Sequence, residues 1–328
     1  MPNHQHESVI VTFALDDSWV WDFWLADDGQ FFHLYYLHAP KTLPDQVLRH
    51  RNAAIGHATS RDLMSWTDHG PVLTSGAPGA FDATATWTGS VVRGDDGLWR
   101  MFYTGARFHT DVSPANTQSV GVAVSVDLHD WSKVPGPAVS ADPRWYETLG
   151  SSEWPEEAWR DPWVFRDPSG DRWHMLITAR SRRAGPLHSR GVIGHAESPD
   201  LESWEVRPPL TAAITAFGHL EVPQVCDVDG KHVLLFSCPA DLLAEDRPGT
   251  RGGIWVVDDI DPAGPYDIDS AVLLADEALY SGRLIVDRKG RTVLLAVENH
   301  APDGSFPGRI TDPLPLARDQ PGRPRLRL

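Results

Sequence analysis

A hairpin pattern that recurs five times constrains the fold of this 328-residue chain more than any other feature. Each copy is a strand-like stretch, a turn centred on glycine, and a second stretch rich in aromatic or aliphatic residues, which is typical of a β-hairpin. The five copies span residues 19–39, 86–106, 159–179, 218–238 and 278–298. Their turn glycines are Gly29, Gly97, Gly170, Gly230 and Gly290. Regular self-similarity of this kind predicts a repeat architecture.

A second repeat follows the first three hairpins. Its three copies read IGHATSRDLMSW, VGVAVSVDLHDW and IGHAESPDLESW. Residues 252–266 contain only a weak copy of it. Each copy predicts a third strand, a Ser-x-Asp-Leu turn and a Trp that begins a fourth strand. Five units of four strands predict an all-β, five-bladed β-propeller, because radial blades leave only short, protected edges. A β-sandwich would need fewer strands and no common register between the repeats.

The propeller is predicted to be a single domain from residue 15 to residue 311. Residues 1–14 would form an N-terminal extension, and residues 312–328 a C-terminal tail. The tail is rich in Pro and Arg and shows no strand pattern, so we expect it to wrap the propeller or to be disordered. A second domain does not fit in it.

Composition limits the classes of partner. The formal charge of −16 argues against nucleic acid or an anionic membrane as a partner, since like charges repel, and favours a neutral small-molecule or oligosaccharide substrate. Fourteen Trp offer flat faces that can pack on sugar rings, although most Trp serve the core. Cys226 and Cys238 are too few for a disulfide framework or a Cys-based zinc site. The N-terminus lacks the basic and long apolar regions of a signal peptide, so we expect a cytoplasmic protein. The oligomeric state is not predicted.

Three carboxylates are the candidate catalytic groups. The innermost strands of a propeller line one central channel, and Asp22, Asp161 and Glu221 lie at comparable distances before their turn glycines. Such carboxylates repel one another unless a proton or a cation is shared. Glycoside hydrolysis uses this arrangement, with one carboxylate to attack or to activate water and one carboxyl to protonate the leaving oxygen. A calcium ion held by the same oxygens is the alternative.

The motif Trp159-Arg160-Asp161-Pro162 is predicted to mark the start of a strand, where proline costs least. Arg160 is expected to keep Asp161 ionised by favouring its charged form. His57 and His195 occupy matching third-strand positions; a metal site is conceivable there, but we expect structural roles. His219, two residues before Glu221, would either contact the substrate or satisfy a strand end. We predict no metal and no cofactor.

These residues carry a resemblance to glycoside hydrolase families 32 and 68, the invertase, levanase and levansucrase group. The resemblance covers roughly residues 15 to 300. Its blocks, in order, are Trp21-Asp22-Phe23-Trp24, Trp87-Thr88-Gly89-Ser90, Arg160-Asp161-Pro162, Glu221-Val222-Pro223, and Leu279-Tyr280 with Asp287-Arg288-Lys289-Gly290-Arg291.

The resemblance implies a β-fructofuranosidase that cleaves sucrose or a short fructo-oligosaccharide by a retaining mechanism. Asp22 would be the nucleophile, Glu221 the acid and base, and Asp161 the stabiliser of the transition state. Retention predicts that the first two carboxyl groups lie about 5 Å apart. The residues implied to line the sugar subsite are Trp21, Trp24, Trp87, Ser90, Arg160 and Tyr280.

The chain also departs from the resemblance. The Asn-Asp-Pro-Asn block of invertases is absent, the acid block reads Glu-Val-Pro, and no C-terminal β-sandwich is expected. Fructosyl transfer and polymer substrates therefore stay open. The alternatives are an inverting arabinofuranosidase-type or xylosidase-type propeller, a phosphorylase, and a non-catalytic sugar-binding propeller.

Overall fold

The computed structural model describes residues 11–245, 251–301, 303–319 and 322–326. These residues form five antiparallel sheets, one for each predicted hairpin. The innermost strands of the sheets contact one another in cyclic order, so the sheets are the blades of a ring around a central channel. The prediction of an all-β, five-bladed propeller is confirmed.

The strands are numbered β1 to β23 along the chain, and each blade is given from the channel outwards. Blade 1 consists of β2 (Ser18–Asp27), β3 (Phe32–Pro40), β4 (Ala54–Ser60) and β5 (Trp66–Leu73). Blade 2 consists of β6 (Ala85–Arg93), β7 (Trp99–Phe108) and β8 (Asn116–Ser125), with β9 (Ser132–Lys133) and β10 (Val139–Ser140) both paired to β8. Blade 3 consists of β11 (Trp159–Arg166), β12 (Trp173–Arg180), β13 (Gly191–Ser198) and β14 (Glu205–Arg207). Blade 4 consists of β15 (Glu221–Val228), β16 (Lys231–Cys238), β17 (Gly253–Asp258) and β18 (Val272–Asp276).

Blade 5 combines strands from both ends of the described chain. Its members are β19 (Leu279–Val286), β20 (Thr292–Glu298), β21 (Arg309–Thr311), β22 (Leu314–Arg318), β23 (Pro324–Leu326) and β1 (Val11–Ala14). Strand β1 pairs antiparallel with β21 and so closes the ring. Short 3-10 helices lie in the connections at Gln46–Asn52, Leu187–Ser189, Ala240–Leu242 and Ile268–Ser270.

The expectation of a tail without strands is wrong. Leu314 and Leu316 alternate with polar or small neighbours, and both pack against the core between blades 4 and 5. Arg318 anchors the tail further, because its guanidinium donates to both carboxylate oxygens of Asp258 on β17, at 2.8 and 2.9 Å. Pro313 and Pro315, the second of which lies inside β22, hid this short strand pattern in the sequence.

The predicted turns follow from local chemistry. The five hairpin glycines have φ between 74° and 90°, a range that residues with a Cβ rarely adopt. In the first Ser-x-Asp-Leu turn, the Asp62 carboxylate accepts the backbone N–H groups of Met64 and Ser65 at 2.9 and 2.8 Å, and Leu63 is buried at φ 64°. The turn at 125–128 repeats this geometry, as does the one at 198–201.

The core consists of apolar side chains packed between adjacent blades. The second strands β3 and β12 are buried along almost their whole length, because each lies in the middle of a blade that is covered on both faces. Cys226 and Cys238 are free thiols. Among the described residues, no helix has both the length and the hydrophobicity that a bilayer crossing requires.

Candidate active site

Every innermost strand carries a β-bulge at the same level of the channel. The pairing with the second strand shifts register after Trp21, Trp87, Arg160, Glu221 and Tyr280. A bulge re-aims the side chains around it, and bulges are frequent next to active sites. The propeller therefore presents two consecutive side chains from each blade at one end of its channel.

These side chains form two rings of five residues. The first ring contains the last paired residue of each blade, namely Trp21, Trp87, Arg160, Glu221 and Tyr280. The second ring contains the bulge residues that follow, namely Asp22, Thr88, Asp161, Val222 and Ser281. In blades 3, 4 and 5 the bulge residue of the second ring has positive φ, at 57°, 53° and 48°.

The expectation that three carboxylates occupy equivalent positions is therefore wrong for one of them. Asp22 and Asp161 share the second ring, whereas Glu221 belongs to the first ring and is the equivalent of Arg160. The bulge holds one residue in blades 1 and 2 but two residues in blades 3 to 5. The turn glycine follows the last paired residue before the turn by two positions in blades 1 and 4 but by four in blades 2, 3 and 5, and this shifts any offset that is counted back from the glycine. Pro162 lies in the bulge inside β11, not at the strand's first residue.

A cavity of about 780 Å³ opens above the rings. The predicted site residues that line it are Trp21, Asp22, Trp87, Arg160, Asp161, His219, Glu221 and Tyr280. The structure does not bring Trp24 and Ser90 to this cavity. Trp24 is fully buried and stacks on Tyr35 at 5.9 Å between ring centroids, and the Ser90 hydroxyl accepts the backbone N–H of Val164 at 3.0 Å.

Asp22 is held by hydroxyl groups from both neighbouring blades. The Thr88 hydroxyl donates to its Oδ2 at 2.9 Å, and the Ser281 hydroxyl donates to its Oδ1. The carboxylate is half-buried and reaches the cavity. Two fixed donors orient it without neutralising its charge, which suits a nucleophile.

Asp161 lies deeper, with only 2% of its surface exposed. Its Oδ2 accepts the Thr178 hydroxyl at 2.9 Å and the backbone N–H of Val222 at 3.1 Å. Burial raises the pKa of Asp161 to about 7 in spite of Arg160, and the nearby Asp22 and Glu221 charges add to the rise. The expectation that Arg160 keeps this carboxylate ionised is wrong, because burial outweighs an Arg160 Nε that lies 3.7 Å away.

Glu221 lies closer to the Arg160 guanidinium than Asp161 does. Arg160 Nη2 donates to Glu221 Oε1 at 2.5 Å, and the Tyr280 hydroxyl donates to Oε2 at 2.5 Å. Arg160 also donates to Glu156 at 2.9 Å, and its Nη2 lies 3.2 Å from Nδ1 of His219. Burial holds the pKa of His219 well below its usual value, so the neutral ring can accept from the guanidinium. Tyr280 and Ser281, consecutive residues, thus contact Glu221 and Asp22 respectively.

Sequence reasoning missed the hydroxyl groups that fix the bulges. Thr104, Thr178 and Ser237 face the first ring from the second strands of blades 2, 3 and 4. Thr104 accepts the backbone N–H of Asp161 at 2.9 Å, and Ser237 accepts that of Ser281 at 3.1 Å. A polar residue at one register position of three otherwise apolar second strands was the signal that could have revealed them.

Arg283, also missed, lies beneath the rings and is almost fully buried. It donates to the carbonyl oxygens of Phe23 at 3.1 Å, Val222 at 3.2 Å and Pro223 at 2.9 Å. Burial lowers the pKa of its guanidinium to about 10, which leaves it cationic at neutral pH. Arg283 therefore ties the bulge of blade 1 to that of blade 4 and places a positive charge below Asp22 and Asp161.

His57 and His195 lie on the third strands β4 and β13, as predicted, and neither lines the cavity. Each ring stacks on a second-strand histidine, with centroids 5.1 Å apart for His33 and His57 and 5.2 Å apart for His174 and His195.

Comparison with known proteins agrees with this architecture. Residues 25–304 match the model of the glycosyl hydrolases family 32 N-terminal domain. A fructan 6-exohydrolase from Beta vulgaris is 26% identical over 230 residues, which are 63% of this chain and 34% of that protein. A sucrose-6-phosphate hydrolase from Pediococcus pentosaceus is 29% identical over 222 residues, which are 67% of this chain and 39% of that protein. The chain thus spans less than two fifths of the length of these two relatives.

Among solved structures, the fold is similar to that of the inulosucrase from Halalkalicoccus jeotgali bound to kestose. The TM-score is 0.77 at 22% sequence identity, and the match covers 98% of this chain and 92% of that one. The resemblance drawn from the Asp22, Asp161 and Glu221 blocks is confirmed. The family model spans most of the propeller, and the chain belongs to glycosyl hydrolases family 32.

Proposed function

We propose that this protein is a glycoside hydrolase that releases a terminal β-fructofuranosyl unit from sucrose or a short fructo-oligosaccharide, with retention at the anomeric carbon. One observation carries the proposal. Asp22 and Glu221, from blades 1 and 4, both reach the cavity and are both hydrogen-bonded to the dipeptide Tyr280–Ser281. Two carboxyl groups that accept hydrogen bonds from two consecutive residues suit the close pair that retaining glycosidases use.

The cavity supports a small sugar. Trp21 and Trp87 bring flat apolar faces to the first ring, and the Trp87 indole N–H donates to the carbonyl oxygen of His50 at 2.7 Å, which fixes its plane. Charged and hydroxyl groups occupy the other side of the ring. An aromatic wall facing polar groups matches the apolar C–H face and the hydroxyl edge of a furanose. The relatives named for hydrolysis of fructan and of sucrose 6-phosphate agree with such a substrate.

The proposed first step forms a covalent intermediate. A carboxylate oxygen of Asp22 attacks the anomeric carbon while the protonated carboxyl group of Glu221 gives its proton to the glycosidic oxygen, so that the C–O bond breaks and the leaving sugar departs as an alcohol.

The second step returns the enzyme to its starting state. Glu221, now ionised, takes a proton from a water molecule whose oxygen attacks the anomeric carbon and displaces Asp22. Asp161 and Arg160 are proposed to bind the sugar hydroxyls and to stabilise the charge that develops on the ring. An acceptor alcohol in place of water would give fructosyl transfer.

The decisive experiment compares the wild-type protein with Glu221→Gln on two substrates. Wild type should hydrolyse sucrose, and the variant should lose that activity while it keeps far more on p-nitrophenyl β-fructofuranoside, because nitrophenolate leaves without a proton. Asp22→Ala should be inactive on both. Binding of sucrose or inulin without turnover by wild type would replace the proposal with a non-catalytic sugar-binding propeller.

Stereochemistry tests the mechanism separately. Turnover in the presence of methanol should give methyl β-fructofuranoside by NMR, which is the retained product. The inverted product would instead indicate a single displacement of the arabinofuranosidase type. Dependence of turnover on inorganic phosphate would indicate a phosphorylase.

A further inference from the structure

We propose that His57, His69 and His129 form a binding site for a divalent transition-metal ion, represented by Zn²⁺, that joins blade 1 to blade 2. His57 lies on β4 and His69 on β5, whereas His129 lies in the blade 2 loop between β8 and β9. The site is on the outer strands, apart from the active-site cavity. It is independent of the proposed hydrolase activity.

The spacing of the three rings fits shared coordination. One nitrogen from each ring lies within 4.8 Å of the other two. The ring centroids are 5.0 Å apart for His57 and His69, 4.9 Å for His57 and His129, and 5.1 Å for His69 and His129. Zinc bonded tetrahedrally to imidazoles at about 2.0–2.1 Å holds the nitrogens about 3.3 Å and the centroids about 5 Å apart. His69 and His129 are exposed, so small rotations of their side chains bring the nitrogens together.

A hydrogen-bonded relay fixes the tautomer of His57. Nε2 of His33 lies 3.4 Å from Asp28 Oδ2, and Nδ1 of His33 lies 2.9 Å from Nε2 of His57. An ionised carboxylate can only accept, so Nε2 of His33 carries the proton, and Nδ1 of this neutral ring accepts from Nε2–H of His57. Nδ1 of His57 is then left with a free lone pair.

That lone pair has no partner within the described structure. His57 is completely buried, and its Nδ1 makes no hydrogen bond to the described residues. A buried acceptor without a partner costs free energy, which a metal ion would remove. Metal-binding histidines commonly have such a second hydrogen bond that leads to a carboxylate.

The nearby charged side chains also favour a cation. Asp68 and Asp127 are the carboxylates whose charges act on His69 and on His57. Their negative charge offsets that of a divalent ion, and imidazole ligands suit zinc, copper and nickel.

Blade 3 contains an equivalent Asp–His–His relay, but different side chains surround its last histidine. Asp167 Oδ2 lies 2.9 Å from Nε2 of His174, whose Nδ1 lies 3.0 Å from Nε2 of His195. In the aligned sequence repeats the counterparts of Thr59 and His69 are Glu197 and Arg207. In the strand pairing, Arg207 lies opposite His195, whereas Gly70, the neighbour of His69, lies opposite His57. Arg207 contacts Glu197 at 3.1 Å, so a cation is already part of the polypeptide there. Blade 1 has the exposed imidazole of His69 where blade 3 has that guanidinium, and this substitution makes the first relay a metal site.

Calorimetric titration of Zn²⁺ into EDTA-treated full-length protein tests the proposal. Wild type should bind one Zn²⁺ per chain with micromolar or tighter affinity, and the double variant His69→Ala/His129→Ala should lose this binding. Both substituted residues are exposed, so the variant should melt like wild type without metal. His300→Ala removes an exposed histidine outside the cluster and should bind like wild type. His4 and His6 remain in every variant, so binding through them would persist.

A variant of the relay separates metal binding from a merely structural role. His33→Gln leaves all three ligands in place but breaks the orientation of His57, and it should weaken Zn²⁺ binding by about 10–100-fold. Saturating Zn²⁺ should raise the Tm of wild type by several degrees and leave that of the double variant unchanged. Absence of Zn²⁺ binding by wild type, or equal binding by the double variant, would overturn the proposal.

Discussion

Asp22 and Asp161 occupy the same position of the second ring in blades 1 and 3, yet their surroundings differ. Asp22 is half-buried at the cavity and accepts two hydroxyl groups from neighbouring blades. Asp161 is 2% exposed, and burial raises its pKa to about 7. Equivalent positions in two blades can therefore hold the same type of side chain in two different electrostatic environments.

The two environments suit Asp22 and Asp161 to different roles in the proposed reaction. Enzymes assign distinct roles to paired carboxylates by placing them in environments that separate their pKa values. In the proposed mechanism the accessible Asp22 attacks, whereas Asp161, which is anchored by a threonine and a backbone N–H, makes a fixed contact to the sugar.

The largest effect is expected for Asp22→Asn. An amide cannot act as the nucleophile, and kcat on sucrose should fall by about 10⁴-fold or more. The side chain keeps its size and its hydroxyl neighbours, so the melting temperature should stay close to that of wild type. Steady-state kinetics and thermal melts measure both values. Activity within tenfold of wild type would remove Asp22 from the role of nucleophile.

Asp161→Asn is expected to have a smaller effect on activity. Loss of one preorganised electrostatic contact to the transition state should lower kcat by about 10²–10³-fold, with little change in KM. The neutral variant also tests whether the ionised or the protonated form of Asp161 supports catalysis. Unchanged kcat would mean that the protonated, hydrogen-bonding form is the active one.

The raised pKa of Asp161 predicts a dependence of stability on pH. Between pH 4 and pH 7 the native state binds more protons at this group than the unfolded state, whose carboxyl has the ordinary pKa of 3.8. The free energy of unfolding therefore falls as pH rises through this window, by about 1–4 kcal/mol. Urea unfolding at pH 4.5 and pH 7.5 should show a smaller decrease for Asp161→Asn than for wild type. Asp22→Asn should give an intermediate decrease, because it removes one of the charges that raise the pKa of Asp161.

The smallest effects are expected for Thr88→Val and Thr178→Val, each of which removes one hydroxyl donor from one of the two carboxylates. Each should lower kcat by about 3–10-fold, as for the loss of one hydrogen bond. Only Thr178→Val should extend the decrease in stability to higher pH, since the hydrogen bond from Thr178 lowers the pKa of Asp161. An identical pH dependence for the two variants would contradict the assignment of the raised pKa to Asp161.

The fold was predictable because its signals are local. A glycine such as Gly29 or Gly97 marks its turn by backbone chemistry alone, and the aromatic strands around it mark the hairpin. The family blocks also led to most of the cavity residues, since propeller topology brings equivalent strands to one channel.

The remaining features depend on neighbours distant in sequence. The register of Glu221 rests on where the strand pairing of blade 4 ends relative to Gly230, which local composition does not encode. Trp24 lies two residues beyond Asp22 but packs in the core against Tyr35, because the cavity ends between them. The charge state of Asp161 depends on burial by blades 2 and 4, and a sequence shows only the adjacent Arg160.

The pairing of β1 with β21 has a consequence for synthesis of the protein. The two partners, residues 11–14 and 309–311, leave the ribosome at very different times, so the ring cannot close before residues 309–311 have been synthesised. Until closure, blade 5 exposes an unpaired edge, a site at which nascent chains associate wrongly. Asp22 gains the hydroxyl of Ser281 only when blade 5 docks beside blade 1. Chains that end before β19 should therefore lack both the contact of Ser281 with Asp22 and the closed ring of blades.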